Sequence, residues 1–492
     1  MAALPENLYT AAQLRELDRR AVERAGIPAE ELMQRAGEAA WRIAAVQWPD
    51  ARRVLVLCGA GNNAGDGYVF ARRAREAGRE VTLLTLGDTA KLSGAAAAAS
   101  KRYLDDGGTE THFAGQLPPA DFIVDAILGI GLDRPLKADW LKAVQAINAS
   151  GLPVLALDIP TGLHADTGVE MGAAVRATAT VCFIGLKAGL FTGAGPECSG
   201  QLRFEDLKVP VAVYAGVRPR AVRLRSADMR EHGLPRRARD AHKNDFGHVL
   251  LVGGDHGMGG AVRLAAEAAL RSGAGLVSVA TRKDHVSGLL AGLPEAMVHG
   301  VEHATDLTPL LNRASVVAIG PGLGRNEWGR GLLKQVLAAH QPLVVDADAL
   351  NLLAEAAHKH GRWILTPHPG EAGRLLGADT STVQNDRYAC VERIAERFDA
   401  VVVLKGAGSL IAAPGETTSV CSAGNPGMAA PGMGDVLTGV IAALVAQGQS
   451  LVSAARLGVY LHAAAGDLAA RQGERGILAR DLMDPLRHLV NG

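Results

Sequence analysis

The segment Asn425-Pro-Gly-Met-Ala-Ala-Pro-Gly-Met-Gly-Asp435-Val-Leu-Thr-Gly439 sets bare backbone and a carboxylate just before an apolar, helix-compatible run, Val436 to Ala446. Gly432 and Gly434 leave main-chain N–H groups open at a helix start, where unpaired donors and the helix dipole attract an anion. Asp435 stands at the same start, suited to take a proton from a hydroxyl being phosphorylated. A phosphate cradle beside an acid is the minimum equipment for phosphoryl transfer to an alcohol. A Gly-rich turn with an Asp helix cap fits the same residues, so both readings stand at this point.

Other loops carry comparable groups. Gly320-Pro-Gly322-Leu-Gly324 admits a ligand close to the backbone, and Thr366-Pro-His368-Pro-Gly370-Glu371 holds an imidazole and a carboxylate on a Pro-stiffened loop. Taken alone, His368 fits a hydrogen-bonded loop histidine as well as a ligand contact. Lys405-Gly406-Ala407-Gly408-Ser409 offers a cation, a hydroxyl and flexible backbone, apt for nucleotide phosphates. Asp346 and Asp348 follow Val344-Val345 and suit a metal ion, although Asp348 equally suits a cap of the following helix. In the first half, Cys58-Gly-Ala-Gly-Asn62-Asn63-Ala64-Gly65-Asp66-Gly67 lies between an apolar run and a helical pattern. Asp125 leads into Gly129-Ile130-Gly131-Leu132-Asp133-Arg134-Pro135, and Asp158 into Pro160-Thr161-Gly162. Asn63, Asp125 and Thr161 supply the oxygen ligands that hard cations take, although each alone is also a common cap or turn former.

Short apolar runs must position these groups. Arg53–Gly59, Val81–Leu86, Phe122–Leu128, Val154–Ile159 and Ala179–Ile184 read as strands, with helical patterns such as Tyr68–Ala77 and Trp140–Asn148 between them. Thr10–Trp41 reads as two helices broken near Gly26-Ile27-Pro28. The alternation restarts with His248–Val252, Leu276–Ala280, Val316–Ile319, Leu343–Val345, Trp363–Leu365 and Val401–Leu404. Continuous apolar strands spaced by helices imply parallel sheets covered on both faces, an α/β class, with ligands beyond the carboxyl ends of the strands. From Arg218 to Lys243 the chain is Arg-rich, with Pro219 and Pro235, and no aromatic residues interleave the charges. It reads as a solvated linker rather than a nucleic-acid patch. The expected division is therefore 1–215, a linker at 216–240, and 241–492.

At 492 residues the chain exceeds one ordinary core. Positive and negative side chains balance at 51 each, which gives no global pull toward nucleic acid or a membrane surface. No uncharged apolar run reaches the roughly 18 residues of a membrane helix, and the N-terminus has no signal-peptide pattern. The five cysteines are scattered without metal-ligand spacing, as in a reduced cytoplasmic protein.

GNNAGDG, DAILGIGLDRP and LDIPTGLHADTG, in that order and after Leu32-Met33-Gln34-Arg35-Ala36-Gly37, resemble the NAD(P)H-hydrate epimerase domain over roughly Tyr9 to Val209. The resemblance implies a Rossmann-like three-layer domain that interconverts the R and S forms of NADH or NADPH hydrated at C6 of the nicotinamide. It implies substrate contacts from Asn62, Asn63, Ala64, Gly65 and Asp66, from Gly129, Ile130, Gly131, Leu132, Asp133, Arg134 and Pro135, and from Asp158, which is the acid–base group. A potassium ion would be held by Asn63, Asp125 and Thr161. Ala64 stands where Gly is common, and Thr161 stands where Ser is common and keeps the ligand oxygen.

HKNDFGHVLLVGG, GMGGAVRLAAEAALRSGAGLV, IGPGLG, VDADALN, LTPHPGE, VLKGAGS and NPGMAAPGMGDVLTG resemble the ADP-dependent NAD(P)H-hydrate dehydratase domain, with its ribokinase-like fold, from about Ala241 onward. That resemblance implies contacts to the hydrated dinucleotide from Ala261, Gly322, His368 and Asp435. It implies contacts to ADP from Lys405, Gly406, Ala407, Gly408, Ser409 and Gly434, with a divalent ion, magnesium. Asp435 would accept the C6 hydroxyl proton as the hydroxyl attacks the β-phosphate of ADP, and loss of phosphate would restore the dihydronicotinamide. The expectation is an isomerase fused to a lyase, homo-oligomeric, with small-molecule ligands and neither nucleic acid nor membrane as partner. The alternative is a ribokinase-like small-molecule kinase fused to a non-catalytic Rossmann-like binding or scaffold module.

Overall fold

A computed structural model describes residues 4–226, 234–356 and 358–491. The chain divides into two compact units, Met1–Val222 and Arg223–Gly492.

In the first unit the apolar runs are buried on both faces. Along Arg53–Cys58, Val54, Val56 and Cys58 join one core cluster, while Leu55 and Leu57 join another. Phe122 and Val124 likewise face away from Ile123, and Leu155 and Leu157 away from Val154. Side chains alternate across a strand, so apolar residues at every position require cover on both sides. Helices Ala29–Gln47, Asn62–Glu76 and Gly94–Asp105 supply one layer through Met33, Phe70 and Tyr103. Helix Ala138–Ala149 supplies the other through Val144 and Ile147.

The sheet between them runs, edge to edge, Glu110–His112, Glu80–Thr85, Arg53–Cys58, Phe122–Ala126, Val154–Leu157, Ala179–Phe183, Gln201–Glu205. Every pair in it is parallel. This is a doubly wound, Rossmann-like order. Arg53–Cys58 pairs with Glu80–Thr85 on one side and Phe122–Ala126 on the other, which opens a crevice beyond its carboxyl end.

The second unit repeats that logic with different residues. Its strands run Met297–Gly300, Leu276–Thr281, His248–Val252, Val316–Ile319, Leu343–Val345, Trp363–Leu365, Val401–Leu404, then Ser409–Ala412 and Thr418–Cys421. Pairing is parallel as far as Val401–Leu404 and antiparallel for the last two strands. Helices Gly259–Arg271 and Met433–Ala446 share a core with Val249, Val316 and Val344. Gly439 brings the second of these helices against the Ala265 carbonyl, where any β-carbon would collide.

The anticipated strands all form, and Thr10–Trp41 gives two helices that part at Gly26, φ +67°. The linker differs from expectation at its start. Ala221–Arg223 is a strand paired with Asn7–Leu8, and Ala221 is fully buried. Of the expected linker, residues 227–233 lie outside the described residues. The hairpin of Ser409–Ala412 and Thr418–Cys421 was also not anticipated. Among the described residues no helix is long and apolar enough to cross a membrane. All five cysteines are buried and free, and burial pushes the Cys182 and Cys421 thiols up to about 12.

Gly67 sets how closely its helix lies on the sheet. A β-carbon there would sit 2.6 Å from Ala126 Cβ and 2.8 Å from Cys58 Sγ. Gly67→Ala is therefore expected to destabilise the first unit by about 1–3 kcal/mol, read as a lower thermal midpoint, and to leave the unfolding transition of the second unit in place.

Candidate functional site

The first crevice is built from three strand ends. The helix after Arg53–Cys58 begins at Asn62 behind Gly61 and has no side-chain cap, so its first N–H groups are open. Asn62, Asn63, Ala64 and Gly65 thus form the first helical turn, and Asp66 follows. Ala64 has helical backbone and is fully buried, a conformation any L-residue adopts. Asn63 is 6% exposed, and neither its Oδ1 nor its Nδ2 has a hydrogen-bond partner among the described residues. Buried amides rarely stay unpaired, so this one marks a ligand position. Gly129 passes beside it, with an added β-carbon 3.4 Å from Asn63 Cβ.

Asp125 is fully buried and accepts from Thr161 N (2.7 Å), Thr161 Oγ1 (2.7 Å) and Ile127 N (3.3 Å). Burial pushes its carboxyl up to about 6 against those donors. Thr161 Oγ1 also accepts from Leu128 N at 2.9 Å, which ties this pair to the Gly129 turn. Asp125 and Thr161 are therefore in contact, with Asn63 reached through Gly129. Beyond Gly129, Ile130 and Leu132 are half-buried, while Gly131, Asp133, Arg134 and Pro135 are exposed.

Asp158 stands at the next strand end with φ +68°. Its Oδ1 accepts from Phe183 N at 3.2 Å and from the Lys187 ammonium. Burial, followed by the charges of Asp158 and Asp18, pushes the Asp66 carboxyl well above the usual range, with Lys187 opposing. Lys187 and Asp18 were missed in the sequence. The available signal was one cation inside the apolar run Phe183-Ile-Gly-Leu-Lys187-Ala-Gly-Leu-Phe191.

In the second unit, three consecutive strand ends carry Asp346, His368 with Glu371, and Lys405. Asp346 is 1% exposed and accepts from Lys405 Nζ at Oδ1 and from Thr438 Oγ1 at Oδ2, both at 2.7 Å. Burial works against the Lys405 charge, but Asp346 and Glu371 outweigh it and raise its titration. Glu371 Oε2 lies 3.9 Å from Lys405 Nζ. Burial and Asp346 push Glu371 up to about 7 against Lys405.

His368 caps the helix Pro369–Leu376: its Nδ1 accepts from Gly370 N (2.9 Å) and Glu371 N (3.4 Å). Glu371 Oε2 returns the bond by accepting from His368 N at 2.8 Å. This bonding assigns the ring proton to Nε2, and burial, then Lys405, holds the imidazole below its usual value. His368 is thus both a loop cap and a neutral donor.

Gly432, φ +87°, is the cap of helix Met433–Ala446, which has no side-chain cap bond. The Asp-cap reading of this segment is therefore excluded, and Asp435 sits in the first turn. Burial, then Asp346 and Asp348, pushes Asp435 up to about 7 against Lys405. Gly434 faces the lysine pair, with an added β-carbon 3.3 Å from Lys405 Nζ. Gly322, φ +60°, lies against Ala261, whose Cβ would be 3.3 Å away.

Asp348 neither caps a helix nor joins a metal cluster. Asp346 takes the N-cap position, and Asp348 Oδ2 holds Gly324 N at 2.9 Å. Among the described residues no group of three His, Cys, Asp or Glu is arranged for a metal. The 405–409 loop rests on Arg387, also missed in the sequence, which is buried and donates to Lys405 O at 3.2 Å. Ser409 Oγ donates to Gly406 O at 3.1 Å.

Two doubly wound sheets, each with buried ionic groups and bare glycine backbone at its strand ends, define a pair of α/β enzyme domains. Residues 249–488 match the family model described as NAD(P)H-hydrate dehydratase, and residues 29–189 match the YjeF-related protein N-terminus. The chain is 49% identical over 490 residues to the bifunctional NAD(P)H-hydrate repair enzyme of Coxiella burnetii, across 98% of this chain and 99% of that protein. It is 45% identical over 492 residues to the enzyme of the same name from Escherichia coli K12, across 99% and 95% respectively. The chain belongs to the family of bifunctional NAD(P)H-hydrate repair enzymes. A crystal structure of a ribokinase-like superfamily protein from Enterococcus faecalis V583 superposes with TM-score 0.51 and 33% identity, over 55% of this chain and 95% of that one. The second unit is accordingly ribokinase-like.

Removing the lysine from the second cluster leaves Asp346 buried without its counter-ion. Lys405→Met is expected to destabilise the second unit by about 3–5 kcal/mol, measured by denaturant unfolding. Combining it with Asp346→Asn should recover part of that loss.

Proposed function

We infer that this chain repairs hydrated NADH and NADPH in two steps. The first unit epimerises the R and S hydrates, and the second dehydrates the S epimer at the expense of ADP, yielding NAD(P)H, AMP and phosphate. Full-length similarity to enzymes of that name supports the reading, and one observation carries the chemistry. Asp435, pushed up to about 7, stands beside the bare backbone of Gly434 and the half-buried ammonium of Lys405. A carboxylate poised near neutrality is an efficient base toward a hydroxyl. Open N–H groups and a fixed cation stabilise charge as it develops on the transferring phosphoryl group.

In this proposal Asp435 takes the proton of the C6 hydroxyl as that oxygen attacks the β-phosphate of ADP. AMP leaves as the phosphate ester forms. The C6–O bond then breaks with phosphate as the leaving group, a proton is lost from C5, and the C5=C6 double bond of the dihydronicotinamide is restored. Ala261, Gly322 and His368 hold the hydrated dinucleotide, with His368 donating through Nε2–H. Gly406, Ala407, Gly408, Ser409 and Gly434 supply the surface for ADP, together with Lys405. Both oxygens of Asp346 are already engaged, and among the described residues no group of three His, Cys, Asp or Glu is arranged to hold magnesium. The ion is assigned to the nucleotide phosphates.

In the first unit, Asn62, Asn63, Ala64, Gly65, Asp66 and the Gly129–Pro135 turn hold the substrate, and Asp158 exchanges protons with it. The unpaired Asn63 amide, Asp125 and Thr161 fit a potassium ion, which would supply positive charge beside the buried Asp125 carboxylate.

Incubating the protein with mixed hydrate epimers and ADP should restore the near-ultraviolet absorbance of the reduced dinucleotide, and a flat trace would overturn the reading. Asp435→Asn should lower dehydration by about 10²–10⁴-fold while R and S still interconvert. Because Asp435 acts ionised, the dehydration rate should rise with pH through about 7 and then level off. That sign is checked by initial rates across neutrality.

A further inference from the structure

The first unit contains a fully buried cation that the reaction as described leaves without a task. Lys187 is 1% exposed, and an ammonium has three donors to satisfy. They are directed to Asp158 Oδ1, to Gly185 O at 3.1 Å and to Phe183 O at 3.4 Å. The backbone is bent to make this cradle. Ile184, a β-branched residue, has φ +62°, and Asp158 has φ +68°, both in a region that such side chains rarely enter. Tyr214 Oη and Glu205 O hold the turn from outside, the first donating to Ile184 O at 2.8 Å and the second accepting from Ile184 N at 3.0 Å.

The consequence falls on Asp158. Its Oδ1 is occupied by Lys187 and by Phe183 N, whereas its Oδ2 makes no hydrogen bond among the described residues. Lys187 keeps 1% of its side-chain surface exposed and Asp158 keeps 17%, so the open side of the pair is the carboxylate's. Here one oxygen is anchored and the other is left open beside the strand ends that carry Asp125 and Thr161.

We propose that Lys187 is the positioning residue of the epimerase centre: by anchoring Oδ1 it fixes the orientation of the Asp158 carboxyl and presents Oδ2 as the single oxygen that exchanges a proton with substrate. The inference rests on the assignment of epimerisation to this unit. Asp18 and Asp66 share the field of this pair from two helices, and Cys182 from the neighbouring strand, so their charges bear on the same pH profile.

Steady-state epimerisation of the R hydrate tests it, in the full chain with Lys187→Met, Lys187→Arg, Asp158→Asn and the double variant Lys187→Met/Asp158→Asn. Lys187→Met should lower kcat by about 100-fold or more with KM nearly constant, and move the acidic limb of the profile to higher pH. Lys187→Arg, which keeps the charge, should recover most of kcat and restore the limb. The double variant should be no slower than Asp158→Asn alone. It also replaces both charges at once, which keeps the comparison available if Lys187→Met does not fold.

An unchanged kcat and pH profile in Lys187→Met would overturn the inference. So would a double variant about tenfold or more slower than Asp158→Asn, because the lysine would then act on its own. A wild-type protein that does not accelerate interconversion would overturn the epimerase assignment and this inference with it. Normal wild-type activity with an indifferent Lys187→Met overturns this inference alone. Dehydration of the S epimer should stay unchanged in every variant.

Discussion

A lysine ammonium paired with an aspartate at the carboxyl end of a parallel sheet is the interaction on which each unit is organised. Lys405 with Asp346, and Lys187 with Asp158, are ion pairs in which one partner is fully buried and the other keeps one open side, Lys405 in the first and Asp158 in the second. Desolvating such charges costs several kcal/mol per ion, so the arrangement persists only where geometry and extra hydrogen bonds offset that cost. Thr438 supplies the extra bond in one unit, and Phe183 N with the carbonyls of Phe183 and Gly185 in the other. The pairs in turn set the state of their neighbours. Asp346 and Lys405 act in opposite directions on both Asp435 and Glu371, and burial leaves those two carboxyls near neutrality. Asp158 raises Asp66 in the same way.

The strands were legible because each is a short, unbroken apolar run, and a sheet covered on both faces demands that pattern. The loops were legible because glycine, proline and acidic residues collect at the ends of those runs. The lysine pairs were only half legible. Lys405 stood out inside a glycine-rich loop, but its counter-ion is 59 positions earlier. Lys187 lies 29 positions after Asp158 and looks like an interruption in an apolar stretch until the fold closes over it. Arg387 was hidden for the same reason: what it holds in the 405–409 loop is the Lys405 carbonyl, which carries no residue identity. Ala221–Arg223 is too short to separate from the arginine-rich segment around it, and its pairing with Asn7–Leu8 spans nearly the whole unit.

The two units share a strand order and diverge at the strand ends. In the first, the helix after the central strand carries in its first turn Asn63, unpaired among the described residues, and the adjacent ends contribute an aspartate and a threonine hydroxyl. In the second, the corresponding helix starts beyond Gly253 and Gly254, and the ionic groups sit further along the sheet. One topology therefore presents a site of fixed oxygen donors in one case and a phosphate-facing backbone in the other. The difference lies in a few side chains on an otherwise common frame.

The five buried thiols have a consequence of a practical kind. Thiolate, not thiol, reacts with oxidants and alkylating reagents, and burial holds these groups protonated and out of reach. The folded chain is thus effectively silent toward maleimides among its described residues. A cysteine introduced at a position such as Val211, 86% exposed, becomes a unique attachment point, and a fluorophore placed there would report on the first unit without removal of any native residue.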